Sequence, residues 1–289
     1  MLQWDLLKSA RKRMEKFIPS VVGAWLAGTY DRDKPVARAA SDGISSFLDT
    51  DEKVTFFWRK CQTQILQFAQ EAIEETAETL SDSRTVNKDD SQEKFNRVIG
   101  ASLSLIINLF TKLSREDISK HQEEYENLLV GNKTLWGFVA SKDPFLRKTT
   151  SQLLKICLDK DPSIIEKDLK TIGNAFVNDG LRARGAGSAL SYLEAMSKLT
   201  AHFPSVWLAV YKNKSNATPL SRLTNFVQQG SLSSPADYWI LLSGLVTRLP
   251  RGVLPESYSG SVDFLKAVND GIASRDEAKS NIGTAWICY

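Results

Sequence analysis

Apolar residues recur at helical spacing along most of the chain. In the stretch 51–80, one apolar stripe runs from Val54 to Ile73, with steps of mostly three or four residues. Asp51 and Glu52 stand at its start, where the positive end of a helix dipole favours acidic side chains. This pattern predicts an amphipathic helix over 51–80.

The rest of the chain repeats this pattern in shorter pieces. Spacing and cap residues predict further helices at about 93–113, 115–130, 132–141, 144–158, 162–177, 186–202, 204–212, 219–229, 235–249, 259–272 and 275–288. No convincing alternating run bounded by tight-turn dipeptides indicates a strand. The sequence therefore predicts an all-α fold.

One polar stretch divides the predicted helices. Residues 81–93, "SDSRTVNKDDSQE", lack helical period and predict a flexible loop. The predicted organisation is N-terminal helices over 1–80, this loop, and continuing helices over 94–289. The last residues, "NIGTAWICY", are apolar and uncapped, which indicates that the C-terminal end is truncated.

A short phrase occurs twice, as "DRDKPVAR" at 31–38 and as "SKDPFLR" at 141–147. The shared positions are Asp33, Pro35 and Arg38 in the first copy and Asp143, Pro144 and Arg147 in the second. Proline suits the first turn of a helix, and the aspartate before it can cap exposed amides. The arginine can then reach an acceptor on the adjoining helical hairpin.

Antiparallel helix pairs with an Asp/Pro turn and a following arginine are typical of HEAT repeats. The phrase therefore predicts an α-solenoid of HEAT/ARM-like helix pairs, in which each repeat stacks on the next. The alternative is that Asp-Pro begins a helix in any protein. A third Asp-Pro, at 161–162, has Ile165 in place of the arginine.

Composition and charge describe an ordinary globular chain. Of 289 residues, 42% are hydrophobic and 25% charged, and the net charge is +3. The three widely spaced cysteines favour free thiols in a reducing compartment, so we expect a cytoplasmic location. The longest apolar run, "ASLSLIINLF", is about half the length needed to cross a bilayer, so no membrane contact is expected.

The sequence offers no catalytic constellation. His121 lies on a charged, solvated face, and His202 ends a helix before Pro204. A RING domain needs eight Cys/His ligands, whereas this chain has three cysteines and two histidines. Asp89, Asp90 and Glu93 could hold magnesium only opposite a second acidic motif, so a solvated loop is the favoured interpretation over a helical metal-dependent enzyme. We expect no metal or cofactor.

Two basic clusters are candidate contacts with an anionic partner. The first contains Lys8, Arg11, Lys12 and Arg13; the second, in "GLRARGAGS", contains Arg182 and Arg184 between glycines. Guanidinium groups beside exposed backbone amides can bind phosphate. An ordinary solvated surface is the alternative for both. Trp25, Trp58, Trp136, Trp207 and Trp239 fall on apolar stripes and predict packing between helices.

Three segments carry a resemblance to a known family. They are "FIPSVVGAWLAGTYDRDKPVARAASDGISSFLDTDEK" (17–53), "LWGFVASKDPFLRKTTSQLL" (135–154) and "RLTNFVQQGSLSSPADYWILLSGLVTRLP" (222–250). In their order along the chain they resemble the N-terminal region of listerin, a family of RING-type ubiquitin ligases of ribosome-associated quality control. The motifs concern packing, and none transfers a contact residue.

The resemblance implies a non-catalytic docking domain. Its partners would be the large ribosomal subunit, through ribosomal RNA or proteins, and the nascent-chain quality-control factor on that subunit. A distant RING, absent here, would recruit the ubiquitin-conjugating enzyme and ubiquitylate stalled chains. The alternative function is a generic HEAT-repeat adaptor for transport or trafficking, which binds only proteins.

Overall fold

The structure, a computed structural model, describes residues 16–82, 84–183, 185–211, 217–254, 257–275 and 277–288. Within those ranges the chain is all-α and contains no strand, as predicted. Its contacts divide it into two compact units, Met1–Leu129 and Val130–Tyr289. The predicted organisation into 1–80, 81–93 and 94–289 stays a prediction.

The first unit contains seven described α-helices. They are α1 Ile18–Gly28, α2 Lys34–Ser45, α3 Asp51–Lys60, α4 Gln62–Glu74, α5 Lys88–Lys112, α6 Arg115–Ser119 and α7 Gln122–Leu129. The helix predicted over 51–80 is broken at Cys61, whose N–H still bonds to Phe57 while its carbonyl begins the next helix. Helix α5 begins at Lys88 because the Asn87 side chain accepts a hydrogen bond from the N–H of Asp90. The flexible loop predicted over 81–93 is therefore shorter than expected.

The core of the first unit lies between α1, α4 and α5. Gly23 of α1 faces Phe68 of α4 so closely that an added Cβ would lie 2.3 Å from the Phe68 Cβ. A glycine is required there because any side chain would push the two helices apart. Lys94 donates to the carbonyl of Leu80, and Lys112 lies over the Trp58 ring, so α5 runs back along α3 and α4.

The second unit contains nine described α-helices, several of them short. They are α8 Lys133–Gly137, α9 Pro144–Lys160, α10 Pro162–Glu166, α11 Leu169–Gly173, α12 Ala189–His202, α13 Pro219–Val227, α14 Asp237–Thr247, α15 Tyr258–Ile272 and α16 Ile282–Cys288. A π-helical segment, Asn174–Asp179, and a 3₁₀ turn, Gly180–Arg182, follow α11. The predicted helix 162–177 is thus broken into several pieces, and the one predicted at 204–212 is the 3₁₀ turn Pro204–Trp207.

Helices α9 and α12 stack side by side and run parallel. Lys155 of α9 donates to Glu194 of α12 at 2.7 Å, and Lys198 donates to Asp159 one turn further on. Because the partner numbers rise together on both helices, α9 and α12 point the same way, with the segment 162–182 between them in the chain. This is the relation between equivalent helices of successive HEAT-like repeats, as the sequence predicted.

A continuous line of aromatic rings forms the core of the second unit. Neighbouring ring centroids are 5.2–6.4 Å apart. In order, the rings belong to Trp136, Phe176, Tyr192, Phe226, Tyr238 and Trp239. These spacings suit edge-to-face and offset packing, so each repeat is joined to the next by aromatic contact. Burial of Trp58, Trp136, Trp207 and Trp239 confirms the packing role predicted for those tryptophans.

Candidate functional site

The second copy of the repeated phrase forms the N-terminus of α9. The Asp143 carboxylate accepts hydrogen bonds from the N–H groups of Phe145 at 2.7 Å and Leu146 at 3.2 Å. Pro144 occupies the first helical turn, where its missing N–H leaves no carbonyl unsatisfied. Cap and proline together place Arg147 in that first turn, facing inward.

Arg147 is buried, and each nitrogen of its guanidinium donates at least one hydrogen bond. Its Nε donates to the Ser188 hydroxyl at 2.9 Å, and its Nη2 donates to the Ala186 carbonyl at 2.6 Å. Its Nη1 donates to the carbonyls of Ser141 and Lys142, at 2.9 and 3.0 Å. The side chain therefore joins the turn before α9 to the loop before α12.

The environment of Arg147 disfavours its charge, but only in part. Burial lowers the pKa of the guanidinium, and the negative charge of Asp143 opposes that shift. Arginine begins from so high a pKa that the group stays charged at neutral pH. Hydrogen bonds to four acceptors compensate for the lost hydration, so this arginine is a structural tie between two segments.

The first copy of the phrase is different. Asp33 accepts a hydrogen bond from the N–H of Val36 at 3.4 Å, a longer cap than that of Asp143. Pro35 lies in the first turn of α2 and is exposed. Arg38 is also exposed, and among the described residues it has no hydrogen-bond or ion-pair partner. The same short phrase thus places one arginine in the core and the other in solvent.

Arg182 lies at the end of the 3₁₀ turn, and its side chain is partly exposed. Its Nη1 is 4.0 Å from an Asp179 carboxylate oxygen. Burial raises the pKa of Asp179, while the positive charges of Arg182 and Arg222 oppose that shift. Asn178 donates to the same carboxylate at 3.1 Å. The predicted phosphate cradle thus contains an acidic group that partly neutralises it.

The other predicted basic contacts cannot be placed. Lys8, Arg11, Lys12, Arg13 and Arg184 lie outside the described residues. Charge along the sequence nevertheless differs between the two units. Lysine and arginine outnumber aspartate and glutamate in the second unit, whereas the reverse holds in the first. An anionic partner is therefore attracted more strongly by the second unit.

The acidic residues of the enzyme alternative lie on a helix, not in a loop. Asp89 and Asp90 occupy the first turn of α5, and a side-chain oxygen of Asp90 accepts a hydrogen bond from the Asn87 amide at 2.7 Å. Among the residues that the structure describes, no group of three or more His, Cys, Asp or Glu could hold a metal ion. His121 is only partly exposed, and its Nδ1 is 3.2 Å from Glu124 and 3.3 Å from the Thr63 hydroxyl. The position is thus partly solvated, and the side chain also contacts two neighbouring polar groups.

A third arginine of the same kind was not singled out from the sequence. Thr218 caps α13, Pro219 occupies its first turn, and Arg222 follows three residues after the proline. The segment "TPLSR" contains the same pattern of cap, proline and arginine, but threonine replaces the aspartate of the other copies. Arg222 is only 3% exposed. Its Nε and Nη2 are buried and have no hydrogen-bond partner among the described residues.

Arg222 is one of the residues that line a cavity of about 750 Å³ in the second unit. The described residues of the cavity lining are Trp207–Tyr211, Ala217–Leu220, Arg222 and Gly252–Leu254. Apart from Arg222, the side chains of this lining are uncharged and mostly apolar. Leu208 and Val210 are exposed at 55% and 94%. This volume falls within the range of ligand-binding pockets.

A buried carboxylate also escaped the sequence analysis. Glu277 accepts hydrogen bonds from the Ser231 N–H and hydroxyl, both at 2.9 Å, from Trp239 Nε1 at 3.2 Å and from the Asn281 amide at 2.9 Å. These bonds hold the turn in which Leu232 and Ser233 adopt positive φ angles of 51° and 64°. The cluster fixes a strained turn and has a structural role.

A family model and individual relatives of this chain carry the same description. Residues 1–249 match the family model described as E3 ubiquitin-protein ligase listerin, N-terminal domain. The E3 ubiquitin-protein ligase listerin of Neurospora crassa is 38% identical over 285 residues, which are 99% of this chain and 17% of that protein. Listerin of Mus musculus is 23% identical over 96% of this chain and 15% of its own length. The chain thus spans about a sixth of the length of these relatives. In the described residues, no helix has the length and apolar content of a membrane span.

Proposed function

This chain belongs to the listerin family of E3 ubiquitin-protein ligases, in which it matches the N-terminal domain, and from that premise we propose that it is the docking end of a longer ligase. In this proposal the domain binds the large ribosomal subunit in the cytoplasm, together with the nascent-chain quality-control factor. It carries no ligase chemistry itself. A RING elsewhere in the protein would recruit the ubiquitin-conjugating enzyme and modify stalled chains.

The observation that supports docking is the parallel, in-register stack of α9 and α12 in the positively charged unit. Arg147 and the ion pairs of Lys155 and Lys198 tie the two helices together and so make the stack rigid. A rigid surface loses little conformational entropy on binding. The excess of basic residues in this unit attracts the phosphates of ribosomal RNA, and such contacts weaken as salt rises.

Co-sedimentation with purified large subunits tests this proposal. We expect the chain to pellet with the subunits, more completely when the quality-control factor is present, and to be released as salt increases. The variant Arg182→Glu with Arg184→Glu should weaken pelleting and reduce its salt dependence. Lys266→Glu with Lys279→Glu makes the same change of charge at other exposed positions and is the matched control.

Two results would count against docking. If the chain does not pellet even with the quality-control factor, the adaptor function is the better description, and the search for partners moves to proteins. If the control variant weakens pelleting as much as the Arg182/Arg184 variant, overall charge rather than this loop governs binding.

A further inference from the structure

Arg147 and Arg222 occupy the same local position but differ in their surroundings. Each follows a first-turn proline by three residues, and each is more than nine-tenths buried. The guanidinium of Arg147 donates to a hydroxyl and three carbonyls. By contrast, neither the Nε nor the Nη2 of Arg222 has a partner in the part of the chain that the structure describes.

Leaving a buried guanidinium unpaired is costly. A buried donor without an acceptor costs about 1–3 kcal/mol, and a charged one costs more. Native proteins remove this cost by pairing the charge or by binding a ligand. The unpaired edge of Arg222 is therefore evidence that points to an acceptor supplied from outside the described residues.

The electrostatic surroundings of Arg222 favour an anion. Burial lowers the pKa of Arg222, the charge of Arg182 lowers it further, and Asp179 raises it. Arg222 thus lies close to a second guanidinium group as well as to a carboxyl group. An added negative charge would be stabilised by both arginines.

The free edge of Arg222 has the geometry that carboxylates prefer. On the surface of the first unit, Arg84 uses the same two atoms, Nε and Nη2, to bind both oxygens of Asp82 at 3.0 and 2.9 Å. Such paired hydrogen bonds are among the strongest in proteins.

The cavity walls indicate what else the ligand carries. Trp207, Leu208 and Val253 are among the apolar residues that line it, and among the described lining residues Arg222 alone carries a charge. Apolar walls gain free energy by covering apolar groups. An RNA phosphate is flanked by polar sugar and further phosphates, which such walls would desolvate without compensation. A protein segment that combines a carboxylate with a large apolar side chain fits better.

We propose that the cavity around Arg222 binds a segment of a partner protein in which a carboxylate stands beside a large apolar side chain. The carboxylate accepts the paired hydrogen bonds of Arg222, and the apolar side chain packs against Trp207 and its neighbours. This interaction goes beyond docking on the ribosome and does not depend on it, since any protein that displays such a segment would be bound.

Selection from a randomised library of 12-residue peptides displayed on phage tests the proposal with the 289-residue chain as bait. Enriched peptides should combine Asp or Glu with Leu, Phe or Trp. Synthetic fluorescent copies should bind in anisotropy titrations. Copies with Gln or Asn for the acid should bind at least tenfold more weakly, because a neutral amide loses the charge-assisted pair.

Variants locate the peptide on the molecule. Arg222→Gln should weaken binding at least tenfold. Since that change can also affect folding, Val210→Glu and Val210→Gln form a second pair at a 94% exposed lining position. The two side chains differ by a charge and hardly in size. The glutamate should repel the acidic peptide, so Val210→Glu should bind it several-fold more weakly than Val210→Gln. The two variants should have equal melting temperatures.

Three results would overturn the proposal. Selection could yield no acidic peptides, or the enriched peptides could bind Arg222→Gln and Val210→Glu as tightly as the original chain. A 20-nucleotide single-stranded RNA could also bind in place of the peptides and be lost on Arg222→Gln, which would assign the arginine to phosphate. The two proposals can fail separately. If no peptide binds but the chain still pellets with ribosomal subunits, only the cavity assignment fails. If the peptides bind but the chain does not pellet, only the docking function fails.

Discussion

The Nε of Arg147 donates a hydrogen bond of 2.9 Å to the hydroxyl of Ser188, 41 residues further along the chain. Arg147 lies in the first turn of α9, and Ser188 directly precedes α12, the parallel helix of the following repeat. The Ser188 hydroxyl also donates to the Gly185 carbonyl at 3.2 Å, so the loop before α12 is fixed at the same point. One buried side chain thereby sets the register between two repeats.

Removing this tie should destabilise the chain. Arg147→Gln leaves the Ala186 carbonyl and the carbonyls of Ser141 and Lys142 with fewer donors, and it empties part of the buried space. We expect a loss of about 2–4 kcal/mol in the free energy of unfolding. Urea unfolding followed by circular dichroism measures it. Arg38→Gln is the control, because Arg38 is exposed, and it should change stability by less than about 0.5 kcal/mol. Equal effects from the two variants would contradict the assigned role.

Close backbone contact between α13 and α15 should make Gly271 irreplaceable. A Cβ at this position would lie 2.3 Å from the Val227 carbonyl oxygen and 3.2 Å from the Gly230 nitrogen. Gly271→Ala should therefore cost at least about 2 kcal/mol, since backbone atoms cannot move aside without separating the helices. Gly137→Ala, where nothing lies within 4 Å of the added Cβ, should be neutral or mildly stabilising. A thermal shift of both variants decides, and an unchanged melting temperature for Gly271→Ala would refute the contact.

The hydrogen bonds of Glu277 should also contribute measurably to the free energy of unfolding. Glu277→Gln keeps the shape but turns an amide N–H₂ toward groups that are themselves donors. We expect a loss of about 2–3 kcal/mol. Because Trp239 Nε1 donates to this carboxylate, its fluorescence should change in the folded state as well. Asp263→Asn, at an exposed position of α15, serves as the comparison and should leave stability and fluorescence nearly unaltered.

Lowering the pH should remove the contribution that the Asp117 carboxylate makes to the stability of the fold. Burial alone would raise the pKa of this carboxyl, but the Ser114 hydrogen bond and the positive charges of Arg59 and Lys120 outweigh burial and lower it. Its folded-state pKa thus lies below the ordinary value of 3.8. The resulting stability is present above pH 3.8 and disappears as the pH falls through the lower, folded-state value.

Comparison with Asp117→Asn isolates this effect. The variant should be less stable than the original chain at pH 7. The difference between their free energies of unfolding should shrink below about pH 4. Urea titrations from pH 7 down to pH 3 give the curve. A difference that stays constant over this range would show that packing of the amide, and not the charge, is responsible.

Local patterns predicted the helices well where the residues that matter are neighbours in sequence. Asp143 caps α9 through bonds to Phe145 and Leu146, two and three residues away, so "SKDPFLR" contains the whole cap. The start of α5 was missed for an equally local reason. Asn87 acts as its cap, but the charged residues after it mask the apolar period of the helix.

The fates of the three first-turn arginines could not be predicted in the same way. Arg38, Arg147 and Arg222 have similar neighbours in sequence, yet one is exposed, one is bonded to four acceptors and one is buried beside a cavity. What differs is the segment that packs against each of them. Residues 185–188 supply acceptors to Arg147 and come from a part of the chain that no local pattern connects to it.

By itself the sequence determined the all-α class, the caps and prolines that begin the helices, and the family to which the packing motifs belong. These depend on interactions within a few residues, or on the order of motifs along the chain. Only the tertiary structure decided which arginine is a tie and which lines a cavity, and that Glu277 holds a strained turn. Such outcomes depend on burial and on partners about 40 residues away. The reason is that these polar side chains lose their hydration, and gain or lack hydrogen-bond partners in its place, only when the repeats stack.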